Sequence, residues 1–410
     1  MRPILFRNAR LVDPMAGTDS MGDLLVAERV IAAVGPGLAA PAAAEIVDAG
    51  GLVLAPGLID SAVFRTDVEA AVAGGITSVL LMPDQSPPLD DPALVERAER
   101  LGKPRLWVRP LAAATRGLGG RELGELSLMR EAGAVAVATG RSAIADPQVM
   151  LRLLRYAAGL GLVVVAHAEC PFLTAGTVAS EGETATRLGL AAAPALAEAI
   201  QIARDLRLAR EAGARLHIAC VSTAEGVALL REARAAGQDV SAGTAPAYAL
   251  LNETALTGYR SFARLSPPLR QEADRLAVCA GLADSTIGHL ASRHDPRTQE
   301  DKRQPFADAA PGAAGSATLL ALGLGLARDG HMTLPALLAA LSANPARRFG
   351  LPGGTLAPGA PADLLLFDPD APWRIDGDAL PGLAGNTPFD GLPTAGKVLR
   401  LLKGGETLLP

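Results

Sequence analysis

The chain has 410 residues, of which 49% are hydrophobic and 3% aromatic, with a formal net charge of −5. That length allows two to three domains and a sizeable core. The charge balance lacks the basic stripe of a nucleic-acid binder, and no window approaches the roughly 18 apolar residues of a spanning helix. Met1 to Val12 carries Arg2, Arg7 and Arg10 but no apolar run or small-residue cleavage site, so no secretory signal is expected. Cys170, Cys220 and Cys279 are too scattered for a disulfide framework, which points to a reducing cytoplasm.

In chain order, residues 1–52 read as short strands and turns: ILFRNARLVD, DLLVAERVIAAVG and EIVDAGGLVL, with Gly and Asp punctuation between them. Residues 354–410 answer them with GTLAPGAPADLLLFDPDAPW and GKVLRLLKGGETLL, so the two ends are expected to build one small, β-sandwich-like domain. Between them, residues 53–353 alternate apolar runs with helical Ala/Leu/Arg stretches, the pattern of βα units around a parallel sheet. The candidate strands are VLAPGLIDSAVF, SVLLMP, LWVRPLA, AVAVATG, LVVVAHAE, RLHIACV, DVSAGTAP and STIGHLASR, the eight that a (β/α)8 barrel needs. One helix is expected from Pro147 through MLRLLRYAAG. Another follows Val221, where Ser222 and Glu225 have capping-box spacing. RTDVEAAVAGG leaves room for only about two helical turns between strands one and two. After strand eight, HDPRTQEDKRQPFADAAPGAAG is a long polar segment that would lie over the mouth of a barrel.

The stretch LAPGLIDSAVFRTD, Leu54 to Asp67, is the most telling. Alternate side chains of a strand share a face, so positions 62 and 64 are where two imidazoles could converge on one cation; here they are Ala62 and Phe64. This stretch resembles the first barrel strand of the dihydroorotase family, whose H-x-H pair these residues replace. The resemblance continues through MPDQSPPLDD, HAE at His167, HIACVSTAE, SPPLR at Ser266, EDKRQPFADAAPG and the tail GNTPFDGLPTAGKV. It implies an amidohydrolase-type barrel with a metal site at the carboxyl ends of the strands. It also implies ligands at positions that here hold Ala62, Phe64, Ala138 or Thr139, His167 and His217, and a general base where Arg293 stands. A guanidinium neither accepts a proton at neutral pH nor binds a cation. Ala247 and Tyr248 replace a further His pair, and Asp84 stands where a substrate-contacting Asn is usual. Arg65 echoes an arginine that grips the substrate carboxylate.

Only His167 and His217 then remain as ligands, short of the three that a catalytic zinc uses unless Glu169, Cys170 or Asp295 is recruited. No zinc or other cofactor is expected, and His167, His217, Arg65, Asp84 and His294 read as a vestigial pocket without catalytic residues. His289 and His331 read as structural, Cys170 as an inert thiol, and the run Glu300 to Arg303 as solvated. The resemblance implies a catalytically inactive dihydroorotase-like protein of pyrimidine biosynthesis that partners aspartate carbamoyltransferase and self-associates, with no nucleic-acid or membrane partner. The alternatives are a metal-poor cyclic amidohydrolase and a small-molecule sensor that uses the emptied pocket.

Overall fold

The computed structural model, which describes residues 2–409, divides the long strands between two sheets. Ile4–Asp13 (β1) pairs antiparallel with Thr18–Ala27 (β2), which pairs with Val30–Gly35 (β3). The other edge of β1 takes Glu45–Asp48 (β4) and Val53–Pro56 (β5) in parallel. The expected first barrel strand is therefore split. Val53–Pro56 belongs to this terminal sheet, and the chain crosses into the barrel at Gly57, where an added Cβ would lie 2.5 Å from the Thr77 side chain.

The barrel strands are Leu58–Val63 (β6), Ile76–Leu81 (β7), Trp107–Ala113 (β8), Ala136–Ala138 (β9) and Val163–Ala166 (β10). A short parallel pair, Ala179–Ser180 (β11) with Ala192–Ala193 (β12), stands off the barrel. Arg215–Ile218 (β13), Val240–Thr244 (β14) and His289–Leu290 (β15) complete it. All eight barrel strands run parallel in sequence order. The barrel closes through a parallel bridge between Val63 and His294, with the Phe64 N–H donating to the His294 carbonyl at 2.8 Å. Asp60, fully buried on β6, reinforces that seam by accepting the Ser292 N–H at 3.0 Å.

Residues two apart on a strand point to one side. Leu80 and Met82, Ala136 and Ala138, and Val163 and Val165 thus face the barrel interior with Ala219 and Ala291, while Val137 and Val164 pack outward under the helices. The helix expected at Pro147 runs from Pro147 to Gly159, capped by Asp146. The one after Val221 starts at Ala224 with Thr223 as its cap, a residue later than the Ser222 spacing suggests: the Thr223 hydroxyl accepts the Gly226 N–H at 3.1 Å, and both Ser222 and Thr223 donate to Glu198. The short connection after β6 holds the six-residue helix Val68–Ala73.

Leu364–Arg374 (β16), Pro393–Lys403 (β17) and Glu406–Leu409 (β18) return to the terminal sheet, where β16 pairs antiparallel with β5. Phe6, Leu24, Ile31, Leu54 and Leu364 form its own buried cluster. At the junction of sheet and barrel, Trp107 Nε1 donates to Asp363 at 3.1 Å and Lys403 Nζ lies 3.5 Å from the centre of the Trp107 ring. No helix among the described residues is long and apolar enough to cross a membrane.

Candidate functional site at the barrel mouth

The carboxyl ends of β6, β9, β10 and β13 to β15 open on a mouth whose centre is a phenylalanine. Phe64, 4% exposed, lies against two guanidinium groups, with Arg141 at 4.0 Å from the ring centre and Arg293 at 5.3 Å. A π face attracts cations, so the ring organises the arginines around it. Arg141 is further held by Asp295, which also takes Arg297 at 2.7 Å, and Arg293 donates to the Ser266 carbonyl at 3.0 Å. Ala62 and Ala138 are buried and carry no donor atom. The Thr139 hydroxyl accepts the His167 N–H at 3.0 Å, so it positions backbone at the place of the implied acidic ligand.

His167 and Glu169 stand together beyond β10, with Nε2 and Oε2 3.5 Å apart. Arg270, the last residue of SPPLR, donates to Glu169 at 2.8 Å and to the Ser222 hydroxyl at 3.0 Å, and lies 3.9 Å from Glu198. Burial would raise the Glu169 carboxyl, but the His167 hydrogen bond and the Arg270 charge outweigh it and hold the group below its ordinary range. Glu198 is raised by its complete burial despite Arg270 and the N–H groups of Ser222 and Thr223. Sequence spacing had not singled out Arg141, Glu198 or Arg264. Each comes from a different βα unit, and only the fold brings them to one end.

Other expected pocket residues sit elsewhere. His217 lies in the middle of β13 and faces the lower barrel interior, where Nδ1 meets the Ser241 hydroxyl at 2.8 Å and the ring stacks on His289 at 4.6 Å. It does not join His167, because His217 pairs with Val165, two residues before His167 on the neighbouring strand, and the inward-facing residue one level nearer the mouth is Ala219. Cys220 is itself buried, and burial pushes its thiol up to about 11, an inert state. His294 is also structural. The N–H groups of Gly315 and Ser316 both point at Nδ1 from 3.2 Å, leaving Nε2 to face Asp67 at 3.3 Å. Arg65 is exposed and lines neither mouth cavity. Asp84 does lie near the mouth, but Oδ1 accepts the Arg141 N–H at 2.9 Å, and burial pushes its carboxyl up.

The polar segment after β15 covers the mouth as expected, with one correction to its charge run. Lys302 is not solvated. It is 3% exposed, and its ammonium donates to the carbonyls of Ala310 at 2.8 Å and Ser261 at 3.1 Å, tying this segment to the preceding loop. Two small cavities remain beneath. One of about 180 Å3 is lined by Arg141, His167, Glu169, Thr174 and Arg264, and the other, about 50 Å3, by Phe64, Tyr248 and Arg293. The zinc centre implied by the resemblance does not fit these residues. Among the described residues no three His, Cys, Asp or Glu side chains converge as metal ligands, and the Phe64 ring lies against Arg141 where the resemblance implies a ligand.

Known proteins resemble the chain over its whole length. Residues 51–226 match the Dihydro-orotase-like family. The chain is 38% identical over 421 residues to a dihydroorotase of Pelobacter propionicus, covering 99% of each. It is 37% identical over 419 residues to a dihydroorotase-like protein of Pseudomonas aeruginosa, covering 98% of each. Among solved structures, the L-hydantoinase (dihydropyrimidinase) of Arthrobacter aurescens superposes with a TM-score of 0.88 at 27% identity over 100% of this chain and 96% of that one. The dihydropyrimidinase of Brevibacillus agri shares the fold, with a TM-score of 0.85 at 24% identity over 99% and 95% of the two chains. A closed parallel barrel, a sheet from both chain ends and this length-wide identity make the chain a member of the dihydroorotase-like family of cyclic amidohydrolases.

Proposed function

We propose that this member of the family is not a catalyst, and that it serves pyrimidine biosynthesis as a structural subunit with aspartate carbamoyltransferase. The observation that carries the first half is Phe64 held against Arg141 and Arg293 at the centre of the mouth. Opening a cyclic amide takes an activated water and a polarised carbonyl, which a metal supplies in one step. Here the ring and two alanines stand at ligand positions, and Arg293 stands at the base's position. Support for the partner comes from the family resemblance and from a barrel and sheet that stay fully built around a mouth without ligands. The relative from Pseudomonas aeruginosa carries the name dihydroorotase-like protein, not dihydroorotase.

A second reading, a metal-poor cyclic amidohydrolase, is favoured by the name dihydroorotase on most of the similar proteins and by the 180 Å3 cavity that His167 and Glu169 line. The decisive assay follows dihydroorotate and carbamoyl aspartate interconversion in both directions, with added zinc or manganese. The noncatalytic reading expects no turnover above background. Turnover that follows the protein through gel filtration and disappears in His167→Ala would establish the amidohydrolase instead. Co-expression with the host's aspartate carbamoyltransferase, followed by size exclusion with light scattering, tests the partner. Joint elution is expected, and separate elution at micromolar concentration would remove it.

A further inference from the structure

The barrel has a second polar opening at its other end, where β13, β14 and β15 begin. There a cleft of about 470 Å3 is lined by Arg215, Arg234, Arg347 and Arg348, with Asp239 as the one carboxylate among its lining residues and His289 beside them. Asp239 pairs with both Arg348 and Arg215, the latter at 3.3 Å, so the lining carries a net charge of three positive, and Arg234 and Arg347 have no carboxylate partner within it.

Ordinary structural roles account for part of this cluster. Arg348 donates to the Leu216 carbonyl at 2.8 Å and to the Asp239 carboxylate, Arg215 to the Arg348 carbonyl at 2.9 Å, and Arg234 to the Ser285 carbonyl. Arg234 and Arg347 also stand in the last turns of their helices, where a cation offsets the carbonyl dipoles. Two observations are left over. Arg347 is exposed, and the one hydrogen bond of its guanidinium is to the Met15 sulfur, at 3.1 Å. His289 is 2% exposed, yet its Nδ1 has no hydrogen-bond partner, and neither has the buried Nε of Arg348. Burial and the nearby Arg348 push His289 down to about 3, so its imidazole is neutral and offers one N–H and one lone pair.

We infer that this cleft is a binding site for a small phosphate-bearing anion of the diphosphate class. Guanidinium forks match the oxygens of a phosphoryl group, and the lining's net charge of three positive matches roughly the three negative charges that a diphosphate carries near neutral pH. The volume lies in the ~300–1,000 Å3 range of small-molecule sites. The strands start at this end and finish at the mouth, so the site is separate from the mouth and does not depend on whether the mouth is catalytic.

The test is calorimetric titration of inorganic pyrophosphate into the full chain in low-salt, metal-free buffer. One saturable site is expected, weakened tenfold or more in Arg347→Ala and in Arg215→Ala. Arg155→Ala, which removes an exposed arginine paired with Glu211 on other helices, should bind like the wild type. Because Arg347 is exposed, its variant keeps the fold. Pyrophosphate should also shift the His289 Nδ1 resonance in histidine-labelled protein. An absence of saturable binding at millimolar pyrophosphate, or wild-type binding by Arg347→Ala, would overturn the site. Equal affinity for citrate would overturn the assignment to phosphate.

Discussion

Phe64 is the residue on which the mouth is built, and replacing it measures how much the site has become ordinary core. Its ring is 4% exposed and contacts the guanidinium groups of both Arg141 and Arg293. Phe64→Ala should cost about 3–5 kcal/mol in urea unfolding, the usual range for a buried aromatic. Arg65→Ala, one position on and exposed, should stay within about 0.5 kcal/mol. Elemental analysis after dialysis should find far less than one zinc per chain, and His217→Ala should leave the metal content unchanged, because His217 faces Ser241 and His289 away from the mouth. One zinc per chain, lost with His167, would refute this. That Ala62, Phe64 and Ala138 offer no metal-donor atom was readable in the sequence, because an absent donor atom is absent in any fold. The place of His217 was not readable, since spacing along a strand does not say how far down the barrel a side chain points. Nor did the run Glu300 to Arg303 reveal that its lysine turns inward to three backbone carbonyls.

At the scale of elements, β13 and β15 carry a liability that should appear in acid. Burial pushes His217 well below its ordinary value, with the neighbouring His289 and Arg348 adding to the effect, and takes His289 to about 3. A histidine depressed in the folded chain is protonated first in the unfolded one. Its contribution to stability is therefore complete above the ordinary value of about 6.5 and is lost as pH falls from there towards 3. The melting temperature should drop over that window, and His289→Gln should flatten the drop relative to the wild type. A wild-type melting temperature that is level between pH 6.5 and 4 would contradict the neutral pair. The apolar runs of the eight strands were legible in the sequence because parallel barrel strands are buried on both faces. The break at Gly57 was not legible, because VLAP and LIDSAV are joined by a single glycine and are buried throughout, so that only pairing partners separate them.

For the whole molecule, the junction between barrel and terminal sheet is a reporter as well as a contact. Trp107 meets Asp363 and Lys403 there, and Trp373, on β16, donates to the Gly396 carbonyl at 2.9 Å. The chain has only these two tryptophans, so fluorescence reads the junction and circular dichroism reads the helices of the barrel. The two urea transitions should coincide, and a fluorescence change at lower urea would show the sheet leaving first. The composite sheet was legible because both ends of the sequence alternate and neither has enough strands to stand alone. Its partner order was not, since β5 sits between β1 and β16 and no local pattern encodes that. This order also bears on how the protein is made. On the ribosome β5 emerges early, yet the strand that covers its free edge follows roughly 300 residues later, about 15–60 s at ordinary elongation rates. Until then Val53 and Leu54 present an unpaired apolar edge, and every barrel strand has been made before the strand that covers it.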